Sequence, residues 1–460
     1  MSSAPTIGVP ELAGLGRYAD AAKVGYSVDE TVRRLERYQW LERCVMRTLV
    51  AHLTATPEWE VKCAVALHQW QCAEHVEALR HRISEMRHPL PALDQPPAGS
   101  LDRFCEELLR STDTVELLVG VHDVTLRSLA EDYRIFLGRA NVLVDQPSRR
   151  VIRFALLEVE EAVRWGEEAL VAIEARSAGA TKRAADWRSH LRSVLAHAGG
   201  ISGDAPTPAE ALPPLRAATP FVPDLAPARD DRFAGRYNFE FPPHVIYNDP
   251  AVPADERNLA LLAKRTLEMD VPEMMASVMV ERTDLAWDFH RDFSRQLWDE
   301  ARHAMMGTVA FEARGIDWTA IPLNVGFSLR LNLHATALER QTMLFAIEQS
   351  LMPAETGKRF EYRTALEAAD PLSAHFHDFD WADEVLHAQI GRRWLKREGI
   401  EPDQAAKRAG EIHERTWAAL DRYRDRDRQV DWWDDFVRRV LGKPSAVPPE
   451  KRAGLKILAE

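Results

Sequence analysis

The chain has 460 residues, 46% of them hydrophobic, and a net charge of −12. That length buries two cores of ordinary domain size, so two domains are expected, and the acidic balance excludes a general nucleic-acid binder, whose surface must neutralise phosphates. There is no cationic and apolar leader pattern and no run of 18 apolar residues, so a soluble, cytoplasmic protein with no membrane association is expected.

Strand-like alternation is scarce throughout, and no phosphate-binding GxxxxGK[ST], GxGxxG or GxSxG pattern is present. The fold is therefore expected to be all-α. Residues 28–197 read as a first bundle, with turns predicted at Thr54-Ala-Thr-Pro-Glu-Trp59 and just before Asp145-Gln-Pro147. Within it Glu42, Glu74, Glu77, His122, Glu158 and Glu161 are all residue types able to coordinate metal. If they shared a buried pocket without an ion, repulsion would demand pairing with Arg43, Arg47 or His75. Cys44, Cys63, Cys72 and Cys105 lack CxxC spacing and are expected in this bundle as buried, reduced thiols.

Residues 198–252 are rich in Pro and Ala and poor in helical periodicity, which predicts an ordered crossing linker. Its aromatics, Phe233, Tyr237, Phe239 and Phe241, predict that the second half packs against a bundle.

Residues 253–400 carry the most informative pattern. Two E-x-x-H steps, Glu300-Ala-Arg-His303 and Glu384-Val-Leu-His387, each follow another helical glutamate: Glu268 lies 32 residues before Glu300, and Glu348 lies 36 before Glu384. Positions i and i+3 share a helix face, so each step aims a carboxylate and an imidazole at one point. Helices joined by a short loop juxtapose residues equidistant from it. The midpoint of 268 and 300 is 284, inside the turn-like Thr283–Asp288, whereas Glu281 sits too near that turn to meet Glu300. The second midpoint is 366, with Asp370-Pro371 as a breaking signal and the next helix expected near Asp380. Pro272 cannot donate to the Glu268 carbonyl and predicts a kink there. Asp299 and Asp383, each just before an E-x-x-H step, are candidates to orient the histidine of the facing helix, with Arg302 balancing charge. Met305, Met306, Phe345 and Trp298 are either core or pocket lining. Residues 401–460 are expected to form a charged helix with Trp417, Trp432 and Trp433, followed by a loose tail after Lys443.

The list E, ExxH, E, ExxH resembles the ferritin-like di-iron carboxylate superfamily. Subtracting 226 from its six positions gives the six N-terminal residues named above, so two tandem ferritin-like four-helix bundles are expected, the first with an altered ligand set. The resemblance implies two iron ions, or manganese and iron, held by Glu268, Glu300, His303, Glu348, Glu384 and His387, since oxygen donors with imidazole suit those metals. It further implies O2 as co-substrate, a small organic substrate, an electron donor, Glu300 and Glu384 at the reacting centre, and a monomer or homodimer. Metal handling as a ferroxidase or peroxide scavenger is the alternative. A tRNA-hydroxylase reading fits the acidic charge poorly.

Overall fold

The structure is a computed structural model and describes residues 8–86, 92–176, 179–233, 235–240 and 243–452. All regular structure among the described residues is helical, and none of these helices is long and apolar enough to cross a membrane. The chain divides into two compact units, one of residues 1–49 with 71–222 and the other of residues 50–70 with 223–460.

The first unit is built on α1 (Val28–Leu53) and α2 (Trp59–Glu85), whose last and first turns respectively belong with the second unit. The helices that follow are α3 (Gly99–Leu108), a continuous α4, α5 (Gln146–Glu174) and α6 (Ala180–His197). Helix α4 runs through Thr114–Leu118, a π-helical Val119–Leu126 and Arg127–Arg139. It packs on α5 and α6. Asp113 caps α4 by accepting from the Glu116 N–H, and Pro147 in the first turn of α5 sits where its missing N–H costs nothing.

In the second unit the Pro272 region breaks one helix into α7 (Ala254–Leu267) and α8 (Asp270–Glu281), with Glu268 at the break. Then come α9 (Trp287–Glu312), α10 (Gly326–His334), α11 (Ala337–Ser350), α12 (Lys358–Glu367), α13 (Pro371–Arg397), α14 (Pro402–Trp417) and α15 (Trp433–Leu441). Helix α9 lies against α7, α8 and α13, and α11 lies against α8 and α13, so four helical segments surround one interior. Phe289, Phe293 and Leu297 are completely or almost completely buried along α9, each worth about 1.5–3 kcal/mol.

Two expectations need correction. Helix α13 begins at Pro371, well before Asp380, because Asp370 accepts from the Ser373 N–H and Pro371 occupies the first turn. The connection that precedes it contains the unforeseen α12, which Gly357 immediately precedes. A Cβ there would lie 2.0 Å from the Leu351 carbonyl oxygen, so only glycine fits. The tail is also better held than expected: Lys443 pairs with Asp255 at 2.7 Å, Ser445 donates to Glu256 at 2.6 Å, and Arg452 pairs with Asp431 at 2.9 Å.

Residues 50–70 are fixed to α8 by buried charge. The Lys62 ammonium donates to Glu273, to the Thr54 carbonyl at 3.1 Å and to the Ala228 carbonyl at 3.2 Å, while Arg229 reaches Glu273 at 3.1 Å. Asp270 accepts from the Ser328 hydroxyl at 3.0 Å. All four cysteines are buried and free, but Cys63 belongs to the second unit. In the 198–252 segment Phe233 and Phe239 are buried, the latter with Val325, Leu329 and Leu420. Phe241 lies outside the described residues.

Candidate metal centre

Helix α13 presents Ser373, His377, Asp380, Glu384 and His387 at steps of four, three, four and three, and all five are buried. That spacing is one helix face, and here it is polar. Against it α9 sets Glu300 and His303, α11 sets Glu348, and the break between α7 and α8 sets Glu268.

These residues form two adjoining groups. In the first, Glu300, Glu348, Glu384 and His387 bring one donor atom each within 4.8 Å of one another; in the second, Glu268, His303 and Asp380 do the same. All six residues expected from the E, ExxH, E, ExxH pattern are thus present, with Asp380 added. Glu300 and Glu384 lie between the histidines. Glu300 is 3.1 Å from His387 Nδ1 and 3.6 Å from His303 Nδ1; Glu384 is 3.2 Å and 3.9 Å from the same atoms. Each imidazole points Nδ1 inward, and Nδ1 of His303 is fully buried without a hydrogen-bond partner.

The outer ring nitrogens face aspartates on the opposite helix. His303 Nε2 is 3.1 Å from Asp383, and His387 Nε2 is 3.4 Å from Asp299. Arg302 ties the two aspartates together, donating to both, at 2.8 Å in the case of Asp383. Arg295 donates to Asp299 at 2.8 Å. Gln296, which sequence reasoning missed, donates to Glu348 at 2.9 Å. Glu281 instead pairs with Arg340 near the turn, at 2.6 Å.

The electrostatics of the first group follow from crowding. Burial and the neighbouring Glu384 push the Glu348 carboxyl well above its usual range. Burial opposes ionisation of Glu384 too, but the nearby Lys358, together with Glu348 and His387, holds it well below. Glu348 and Glu384 are buried in one cluster, and like charge there favours the protonated form of Glu348. A cation at that point would do the same work better. Burial lowers the His303 pKa, yet Asp380, Asp383 and Glu300 outweigh it and raise the value to about 10. Three oxygen donors with one imidazole, buried and aimed at one point, fit iron or manganese.

The second group contains cations that spacing arguments missed. Lys358, entirely buried on α12, places Nζ 2.9 Å from Glu384, 3.0 Å from Asp380 and 3.9 Å from Glu268. Arg265 donates to Glu268 at 2.8 Å, to Asp380 at 2.6 Å and to Glu361 at 2.8 Å. Glu361, His377 and Asp380 also cluster, but Lys264 pairs with Glu361 at 2.7 Å and Arg265 is 3.1 Å from His377 Nδ1.

The six N-terminal candidates do not converge. Glu42 is buried, and His75 joins it to Glu158 through Nδ1 at 3.1 Å and Nε2 at 2.8 Å, while Tyr133 donates to Glu42 at 3.0 Å. Glu74 and Glu161 are exposed, Glu77 is partly so, and His122 is buried beside Trp165. A constant sequence offset matches residue types but not the faces they occupy. Of the candidate pocket residues, Phe345 is core, packed with Leu395, Ile400 and Ala405; Met305 and Met306 are partly exposed, and so is Trp298, which stacks on Trp70.

No protein family model, curated protein or solved structure matches the chain.

Proposed function

We propose that the second unit is a ferritin-like bundle holding redox-active iron or manganese, and that the protein is an oxidoreductase using O2 on a small organic substrate, with electrons from an external donor. The observation that carries this reading is the convergence of Glu300, Glu348, Glu384 and His387 within 4.8 Å in a buried interior. Buried carboxylates in such numbers are stable when a cation or protons neutralise them. A redox-active ion bound there, once reduced by the external donor, would pass on the electrons that O2 activation needs.

The chain's own residues then have defined tasks. Glu300 and Glu384, each reaching both histidines, would be central carboxylate donors, and His387 would supply the nitrogen donor of the first group. Asp299 and Asp383 fix the ring orientations, and Gln296 fixes Glu348. Burial keeps bulk water from competing for the donors. In the first unit His75 joins Glu42 to Glu158 directly, which supports a structural role for that unit.

The test is elemental analysis after anaerobic loading with Fe(II) or Mn(II), with O2 uptake followed on the iron-loaded protein. The wild type is expected to retain metal, and the Glu300→Ala/His387→Ala variant to lose it. A wild type that retains neither metal sinks the reading.

A further inference from the structure

Two halves of one site differ in what already balances their charge. In the second half Glu268, Asp380 and Glu361 are three carboxylates, and they are met by three basic side chains, Lys264, Arg265 and Lys358. In the first half Glu300, Glu348 and Glu384 converge on His387, and Lys358 contacts one of them, Glu384. A dication entering the first half relieves repulsion; one entering the second half would add positive charge to a set whose carboxylates are already paired with basic side chains.

Position agrees with charge. The Lys358 ammonium contacts Glu384, Asp380 and, more distantly, Glu268, at 2.9, 3.0 and 3.9 Å. The same Asp380 oxygen is 3.2 Å from His303 Nδ1, and the same Glu384 oxygen is 3.9 Å from it. Nζ therefore shares the oxygens that an ion on His303 would need. Lys358 cannot swing aside cheaply, since it is entirely buried at the start of α12, its own N–H donating to the Leu351 carbonyl at 3.0 Å beside the tightly packed Gly357.

We infer that Lys358 is the resident cation of the second half-site, so that the centre holds one metal ion, on Glu300, Glu348, Glu384 and His387, beside a fixed lysine ammonium. This rests on the metal-centre reading above and changes its stoichiometry from two ions to one. Asp380 and Glu384 then serve as the acceptors of the ammonium and as the polar wall of the first half.

The experiment counts iron and manganese per polypeptide after anaerobic Fe(II) or Mn(II) loading and desalting, for the full chain and four single variants. The wild type is expected to hold about one ion. His303→Ala should still hold one, and His387→Ala should hold none. Lys358→Ala removes the ammonium and opens its space, and should bring the count to about two; Lys358→Arg, which keeps the charge, should leave it at one. Two ions in the wild type, or loss of the metal in His303→Ala, overturns the inference whether or not Lys358→Ala folds. One ion in both the wild type and a folded Lys358→Ala overturns it too, yet leaves the metal-centre reading standing. No ion in any variant sinks that reading and the inference with it.

Discussion

Asp383 lies 3.1 Å from Nε2 of His303, so the aspartate preceding one E-x-x-H step braces the histidine of the other. Asp299 and His387 repeat the relation in the opposite direction at 3.4 Å. The two helices thereby hold each other's imidazoles, and Arg302 locks both aspartates at once.

Removing that brace frees the ring without removing a donor atom. Asp299→Ala, which releases His387, is expected to weaken iron or manganese binding by about 10–100-fold, as loss of such outer partners does elsewhere. Competition against a chelator of known affinity measures it. An unchanged affinity would mean that packing alone orients His387.

His75 makes stability depend on pH in the first unit. Burial lowers its pKa, but Glu42 and Glu158 prevail and raise it from the ordinary 6.5 to about 9. A histidine that binds its proton more tightly when folded stabilises the fold fully below pH 6.5, and the contribution fades as pH rises from 6.5 to 9. At about 1.4 kcal/mol per unit, and with Glu158 half exposed, the effect is on the order of 2 kcal/mol. Urea unfolding between pH 6 and 9.5 should show the wild type losing stability through that window and His75→Gln showing a shallower slope. Parallel slopes would sink the assignment.

Gly357 is required by a close approach and not by its backbone angle. In Gly357→Ala the new methyl would meet the Leu351 carbonyl at 2.0 Å and the Pro353 carbonyl at 2.7 Å, and backbone atoms yield poorly. A loss of about 1–3 kcal/mol in urea unfolding is expected, the range for overpacking. A change below about 0.5 kcal/mol, the ordinary level for a surface substitution, would show that the α11–α12 connection can shift.

What was legible in the sequence was what lies within one helix. Glu300 with His303 and Glu384 with His387 are one turn apart, and the turn near residue 284 pairs Glu268 with α9. Asp380 and His377 were legible in principle, because they continue the polar face of α13 that Glu384 and His387 begin. Lys358 was not. It arrives from a separate ten-residue helix whose position across from Glu384 is set by packing and by Gly357, and no periodicity encodes that. The six N-terminal candidates do not gather at one point, for the complementary reason: Glu74 matches in type and spacing, but its neighbour His75 is the residue that turns inward.

The buried polar face of α13 also dictates alignment. An apolar stripe tolerates sliding by one turn, since one leucine replaces another against the neighbouring helix. A one-turn slip of α13 would withdraw Asp380 from Arg265 and Glu384 from Lys358. Each orphaned buried charge would cost about 3–5 kcal/mol, a large share of a typical domain's whole stability. The buried charges of this interior therefore leave the four helical segments a single register in which to dock.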